Sequence, residues 1–223
     1  MTPLYAISPA TSMEEMYFAS AFQTEIEIGL RDRLELGLYL TYVPDFGEAY
    51  ANQTQIAGAG TGLKQRLRYM LADPDVWPVD VGVYGELVEN EREIELEAKL
   101  LLQRRFDRIR VAANLSVEYE LYFSKQRELV LDPSLGATYE LAPALHLGLE
   151  GWLRSEYPTN PKPAARGFGL GPQVYLGPTF LANFGKLWWS FGLYTRVTET
   201  SHDLMPGEPY GRIWLRSLIG YDL

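Results

Sequence analysis

Two histidines and no cysteine leave little room for nucleophilic or metal chemistry in this 223-residue chain. A Ser/His hydrolase needs an imidazole held against a hydroxyl and oriented by a polar third group. His146 instead alternates with apolar neighbours, in a set with Gly148 and Glu150, as a hydrogen-bonded interior residue would. His202 stands beside Asp203 in the segment SHDLMPGEPYG, whose Pro and Gly read as a solvated loop. An Asp/His hydrolase would add paired carboxylates facing that histidine, and no motif supplies them. Metal binding has no ligand spacing to use, because the histidines are far apart and thiolates are absent. No catalytic residue, metal ligand or cofactor is expected.

The charged residues are more informative. They recur at every second position in Glu25, Glu27, Arg33 and Glu35, again in Lys64, Arg66 and Arg68, and again in Glu95, Glu97 and Lys99. Arg108, Arg110 and Glu118 follow, then Glu150 and Arg154, with Arg196 and Arg216 near the end of the chain. Such spacing gathers charge on one face of an extended chain. Enclosed together, these groups are costly unless paired or hydrated. A hairpin turning near Asp107 would set Glu95 and Glu97 across from Arg108 and Arg110. The whole set could fill a narrow interior with salt bridges, or line a hydrated pore whose charges set its selectivity.

The positions between those charges are apolar. In residues 24–30, Ile26, Ile28 and Leu30 oppose Glu25, Glu27 and Gly29; in 33–42, Leu34, Leu36, Leu38, Leu40 and Tyr42 oppose Arg33, Glu35, Gly37, Tyr39 and Thr41. This period of two predicts strands, and the break at Arg31 and Asp32 predicts a tight hairpin. Residues 93–106 and 108–123 alternate the same way, and further strands are expected at 56–71, 79–88, 127–141, 144–156, 167–181, 186–199 and 211–223. Residues 91–106 are rich in helix formers, but a helix would scatter Ile94, Leu96 and Leu100, whereas a strand collects them on one face. A weaker first strand at residues 3–8, turning at 9–14, brings the count to twelve, since uniform antiparallel closure needs an even number; ten is the alternative. Pro133, Pro172 and Pro178 fall inside these strands and are expected at bulges or strand ends, because proline cannot donate to the ladder.

Compact breaks at 31–32, 72–78, near 107, at 142–143 and at 183–186 alternate with breaks at 44–53, 89–92, 124–126, 158–166 and 201–210. Three of the second group are longer and rich in Pro, Gly and Asn. Short turns at one end and longer loops at the other match a membrane barrel with periplasmic turns, extracellular loops and periplasmic termini.

The side that meets lipid follows from volume. A soluble barrel packs its apolar set inside, yet here large branched residues occupy that set on nearly every strand. Twelve strands enclose too little space for them and offer ample outer circumference. Tyr69, Trp77, Phe106, Tyr139, Phe180, Trp189 and Tyr221 fall near the short-turn ends, and Phe18, Tyr42, Tyr119, Phe123 and Phe168 near the other, as two interfacial girdles would. Mean hydropathy is -0.15, and no apolar run approaches the ~18 residues of a membrane helix. The net charge of -9 argues against nucleic-acid binding. No basic segment followed by an apolar run opens the chain, so a secreted barrel would be a mature chain carrying an added Met.

The segment IGLRDRLELGLYL, residues 28–40, resembles a hairpin of Gram-negative outer-membrane barrels grouped with the MetA-pathway (phenol-degradation) transporters. The final strand, RIWLRSLIGYDL, is similar to the C-terminal signal read by the outer-membrane insertion machinery, although it ends in Leu223 with Tyr221 two residues earlier. The resemblance implies an outer-membrane location and a transport role, and assigns no functional residue. The expectation is therefore an all-β protein, residues 1–223 forming a single transmembrane antiparallel up-and-down β-barrel in contact with outer-membrane lipid. It would pass small hydrophilic solutes or ions, with a salt-bridge-filled structural or engineered barrel as the alternative and an outer-membrane hydrolase as the remote one.

Overall fold

A strand with one apolar and one charged face still has two unpaired edges, and closing the sheet on itself removes them. The computed structural model describes residues 4–12, 15–43, 60–159, 172–198 and 212–222, with side chains at 23–42, 61–159, 172–198 and 212–222. The strands are β1 (Leu4–Ser12), β2 (Glu15–Arg31), β3 (Leu34–Val43), β4 (Gly60–Met70), β5 (Asp80–Asn90), β6 (Glu93–Phe106) and β7 (Ile109–Tyr122). They continue as β8 (Arg127–Leu131), β9 (Ser134–Ala142), β10 (Leu145–Pro158), β11 (Gln173–Phe184), β12 (Leu187–Arg196) and β13 (Ile213–Tyr221). Apart from β8 and β9, which both pair with β7 and β10, each pairs antiparallel with its sequence neighbour, and β13 pairs with β1 to close the ring. Because β8 and β9 are successive segments of one position, both between β7 and β10, the wall has twelve strands, as expected.

The apolar set faces outward. Leu63, Leu115, Leu135 and Leu149 are each more than half exposed, while Glu86, Glu97, Glu118 and Glu128 on the opposite faces are buried. Exposed apolar area on this scale has no stable place in water. Tyr69, Trp77, Phe106, Tyr139, Trp189 and Tyr221 are exposed toward the short-turn end, and Tyr42 and Phe123 toward the other. Phe180 packs edge-on against Trp189 at 4.8 Å, beside Phe191. The Phe18 side chain and Phe168 lie outside the described residues.

Several boundaries differ from the sequence reading. β1 runs on through residues 9–12, where a turn was expected to begin: Pro9 pairs with Phe18, and the ladder continues to Ser12 opposite Glu15. The small residues Ala10, Thr11 and Ser12 carry no apolar alternation, so that stretch gave no strand signal. β11 runs through to Phe184, beyond the expected end at 181, and turns at Gly185, whose φ of 74° suits a residue without a side chain. The short turns centre on Asp32 and Arg33, Asp107 and Arg108, and Pro143 and Ala144. The loops expected at 44–53 and 201–210, most of that at 158–166, and the strand start at 167 lie outside the described residues.

One proline corrects a second expectation. Pro172 precedes β11 and Pro133 stands between the end of β8 and the start of β9, both at strand ends as expected, but Pro178 sits inside β11 with no bulge. Val117 faces Leu131 and Asn114 faces Ser134, so β7 keeps one register across Pro133. Its carbonyl still accepts the Leu153 N–H at 3.0 Å, and only the missing N–H is lost. At Pro178 the pairing with Leu149 persists on the β10 side while the β12 ladder skips from Leu176 to Thr179. Beside it, a Cβ on Gly177 would stand 1.8 Å from the Leu193 carbonyl oxygen. That oxygen belongs to the backbone and cannot swing away. Gly177→Ala is expected to lower unfolding stability in detergent by about 1–3 kcal/mol, the range for overpacking, read from the urea midpoint.

Candidate functional site

Side chains of the inward set meet in the barrel interior, and the hairpin registers decide which of them become neighbours. β2, β3 and β4 bring Glu25, Glu27 and Glu35 to one guanidinium. Arg66 Nη2 stands 2.9 Å from Glu25 and also bonds Glu27 and Glu35, while Arg68 bonds the second oxygen of Glu35. Next to this group, Lys64 pairs with Glu86, which also accepts the Tyr84 hydroxyl. Lys99 pairs with Glu97 at 2.7 Å and lies 4.8 Å from the Tyr84 ring centroid.

Arg154 on β10 is a second centre. Its guanidinium reaches Glu118 at 2.9 Å, Glu120 at 3.1 Å, Glu156 at 3.3 Å and Asp132 at 3.8 Å. Farther along the same strand, Glu150 bonds Arg216 of β13 and accepts the Tyr194 hydroxyl at 2.6 Å. Arg196 on β12 is the direct cross-strand partner of Tyr175.

One expected neighbourhood does not form. Glu97 pairs with Glu118 and Glu95 with Glu120, whereas Arg110 pairs with Arg105 and Arg108 lies in the turn. The reason is arithmetic along the hairpin. Residues equidistant from the turn face each other, and Glu97 lies much farther from it than Arg110. The separation between Arg110 and Glu118, the true partner of Glu97, is roughly 26 Å of strand. Arg33 is likewise in a turn, at the short-turn mouth of the interior rather than on the wall.

Arg33 donates to Asp73 through Nε at 2.8 Å and Nη2 at 2.9 Å, tying the β2–β3 turn to the β4–β5 connection. Those hydrogen bonds hold the Asp73 carboxyl below its ordinary range. The pairing is therefore complete above the usual carboxylate range and is lost as pH falls through the lowered value. Arg33 also lines a cavity of about 440 Å³ at this end of the interior, with Gly29, Glu35, Arg68, Gln103 and Asn114.

Sequence reasoning overlooked an aromatic sector on β10–β13. Trp152 stacks on Tyr175 at 4.0 Å and 8°, and meets Trp214 edge-on at 5.3 Å and Tyr194 at 6.3 Å. Tyr175 and Tyr194 are fully enclosed. The signal was available, since Trp152 alternates in step with Glu150 and Arg154. It was hidden by reading aromatics only as interfacial anchors.

His146 sits on β10 between Glu140 and Leu181, and His202 lies outside the described residues. Glu86, Glu95 and Glu97 each place an oxygen within 4.8 Å of the others, a spacing that could hold a cation. Lys64 and Lys99 already bring positive charge to two of the three. A search for histidine and cysteine spacing could not find this trio, which is assembled across two strands.

No protein-family model matches the chain, and no curated protein matches it by sequence. Solved structures do match over its full length. The NanC porin aligns at a TM-score of 0.67 with 8% identity, covering 100% of this chain and 99% of that chain. The COG4313 outer membrane channel from Pseudomonas putida F1 aligns at 0.63 with 13% identity, covering 99% and 94%. The KdgM porin aligns at 0.55 with 10% identity, covering 100% and 99%. At these identities the likeness is one of architecture, and the architecture is that of an outer-membrane β-barrel.

Proposed function

We propose that this chain is a passive outer-membrane channel for small hydrophilic solutes or ions, and not an enzyme. The observation that carries the reading is the inversion of faces: leucines and valines outside, and ionised side chains inside around a cavity that opens toward the short-turn mouth. Charged residues of the inward set, among them Glu25, Glu35, Lys64, Arg66, Lys99, Glu118, Arg154 and Arg216, would line the path. The short turns and both termini would face the periplasm, and the final strand would serve recognition by the insertion machinery. The likeness of residues 28–40 to MetA-pathway transporter barrels agrees with a transport role.

The test is electrical. Purified protein added to planar bilayers is expected to give steady open currents that scale with salt concentration. A second reading is favoured by the dense ion pairing and by the enclosure of Tyr175 and Tyr194, namely a barrel filled by its own side chains. Membranes that stay silent while folded protein inserts would establish that reading and overturn the channel.

A further inference from the structure

The cations of the interior are spoken for. Among the described residues, Lys64 bonds Glu86, Arg66 bonds Glu25, Glu27 and Glu35, Arg68 shares Glu35, and Lys99 bonds Glu97. Arg154 is surrounded by four carboxylates. A phosphate or carboxylate of a passing solute would find each of these cations already facing a carboxylate, and Arg110, set across from Arg105 at the short-turn end, lies well away from them.

The acids are arranged differently. Glu86, Glu97 and Glu118 are direct cross-strand partners on β5, β6 and β7, and Glu95, Glu120 and Glu128 form a second row one step along the barrel on β6, β7 and β8. Direct partners on one face have Cβ atoms about 5 Å apart, and like charges so placed repel. Glu95 has no ion pair among the described residues, although it faces Glu120 directly. Two rows of glutamate therefore wrap one flank of the interior, with Glu95 among them lacking an ion pair among the described residues.

We infer that the interior passes cations in preference to anions, with the Glu86–Glu97–Glu118 and Glu95–Glu120–Glu128 rows setting the sign of its selectivity. The inference rests on the channel reading and deepens it by naming the charge class of the solute. Carboxylate rings favour cations in narrow pores because the wall's potential replaces part of the hydration lost on entry. The Lys64, Arg66 and Arg68 ladder would by itself suggest an anion path, but its charge is spent on glutamates. A KdgM porin structure contains disordered oligogalacturonate; such a polyanion would meet net negative charge in this interior.

The experiment is the reversal potential across a planar bilayer in a tenfold KCl gradient, with the wild-type chain and the Glu95→Gln/Glu120→Gln double variant. Wild type is expected to give a K⁺/Cl⁻ permeability ratio above one, and the variant a ratio at least about twofold lower. Conduction with a ratio at or below one, or a ratio unchanged in the folded variant, overturns the inference and leaves the channel reading standing. Silence from inserted, folded wild-type protein overturns both. Should the variant fail to fold, uptake of equal-sized cationic and anionic solutes into liposomes carrying wild type decides the sign, with faster anion entry overturning the inference.

Discussion

Arg154→Met is expected to lower the unfolding stability of the barrel by about 3–5 kcal/mol, the cost of removing one partner from a buried ion cluster. The side chain is about one-fifth exposed and holds Glu118, Glu120 and Glu156, each exposed by less than a tenth. Without the guanidinium these carboxylates remain enclosed beside Asp132 and lose the cation they share. The measurement is the urea midpoint in detergent micelles, or the temperature at which compact gel mobility is lost. Adding Glu118→Gln and Glu120→Gln should recover much of the loss, because neutral amides need no counter-ion and can hydrogen-bond each other. A loss below about 1 kcal/mol would mean that water, not Arg154, carries these charges. That outcome would describe an interior wider and wetter than the ion-pair distances suggest.

The same arginine marks where sequence reading stops. Alternation of Leu34, Leu36 and Leu38 with Glu35 and Gly37 names a face, because a strand has a period of two whatever its neighbours. It does not name a height. Height comes from the turns, and a turn centred between Asp107 and Arg108 sends Glu97 to Glu118 rather than to Arg110. Inward-facing membership was therefore legible for Glu95, Glu97, Glu118, Lys64 and Arg154, while their mutual contacts were not. Arg33 and Arg108 share the inward parity yet fall in turns, beyond the wall where parity has meaning. Pro178 shows the converse error. A rule about ladder donors predicted a bulge or a strand end, but one missing N–H in a long antiparallel ladder is a smaller disturbance than shifting the register of every residue beyond it. The interior aromatics Trp152, Tyr175 and Trp214 obeyed the parity that located Glu150 and Arg154, and composition-level expectations about girdles obscured them.

Consecutive residues on β7 separate the two faces most sharply. Leu115 points outward and is 53% exposed, whereas Asn114 points inward, donates to the Ser134 hydroxyl at 3.0 Å and lines the cavity at the short-turn end. Leu115→Arg is expected to destabilise the barrel in phospholipid vesicles by about 2–4 kcal/mol, as an arginine near the bilayer midplane does. In detergent micelles the loss should shrink, because the guanidinium can reach water there. Asn114→Arg is expected to change stability in vesicles by less than about 1 kcal/mol, since its charge enters a polar interior with room for it. It should also reduce the preference for potassium over chloride by adding positive charge on the conduction path. Vesicle-based urea titrations of both variants decide the matter. Tolerance of Leu115→Arg together with collapse of Asn114→Arg would mean that the faces are reversed, and a barrel with its leucines inside has neither a lipid-facing wall nor a charged interior to conduct through.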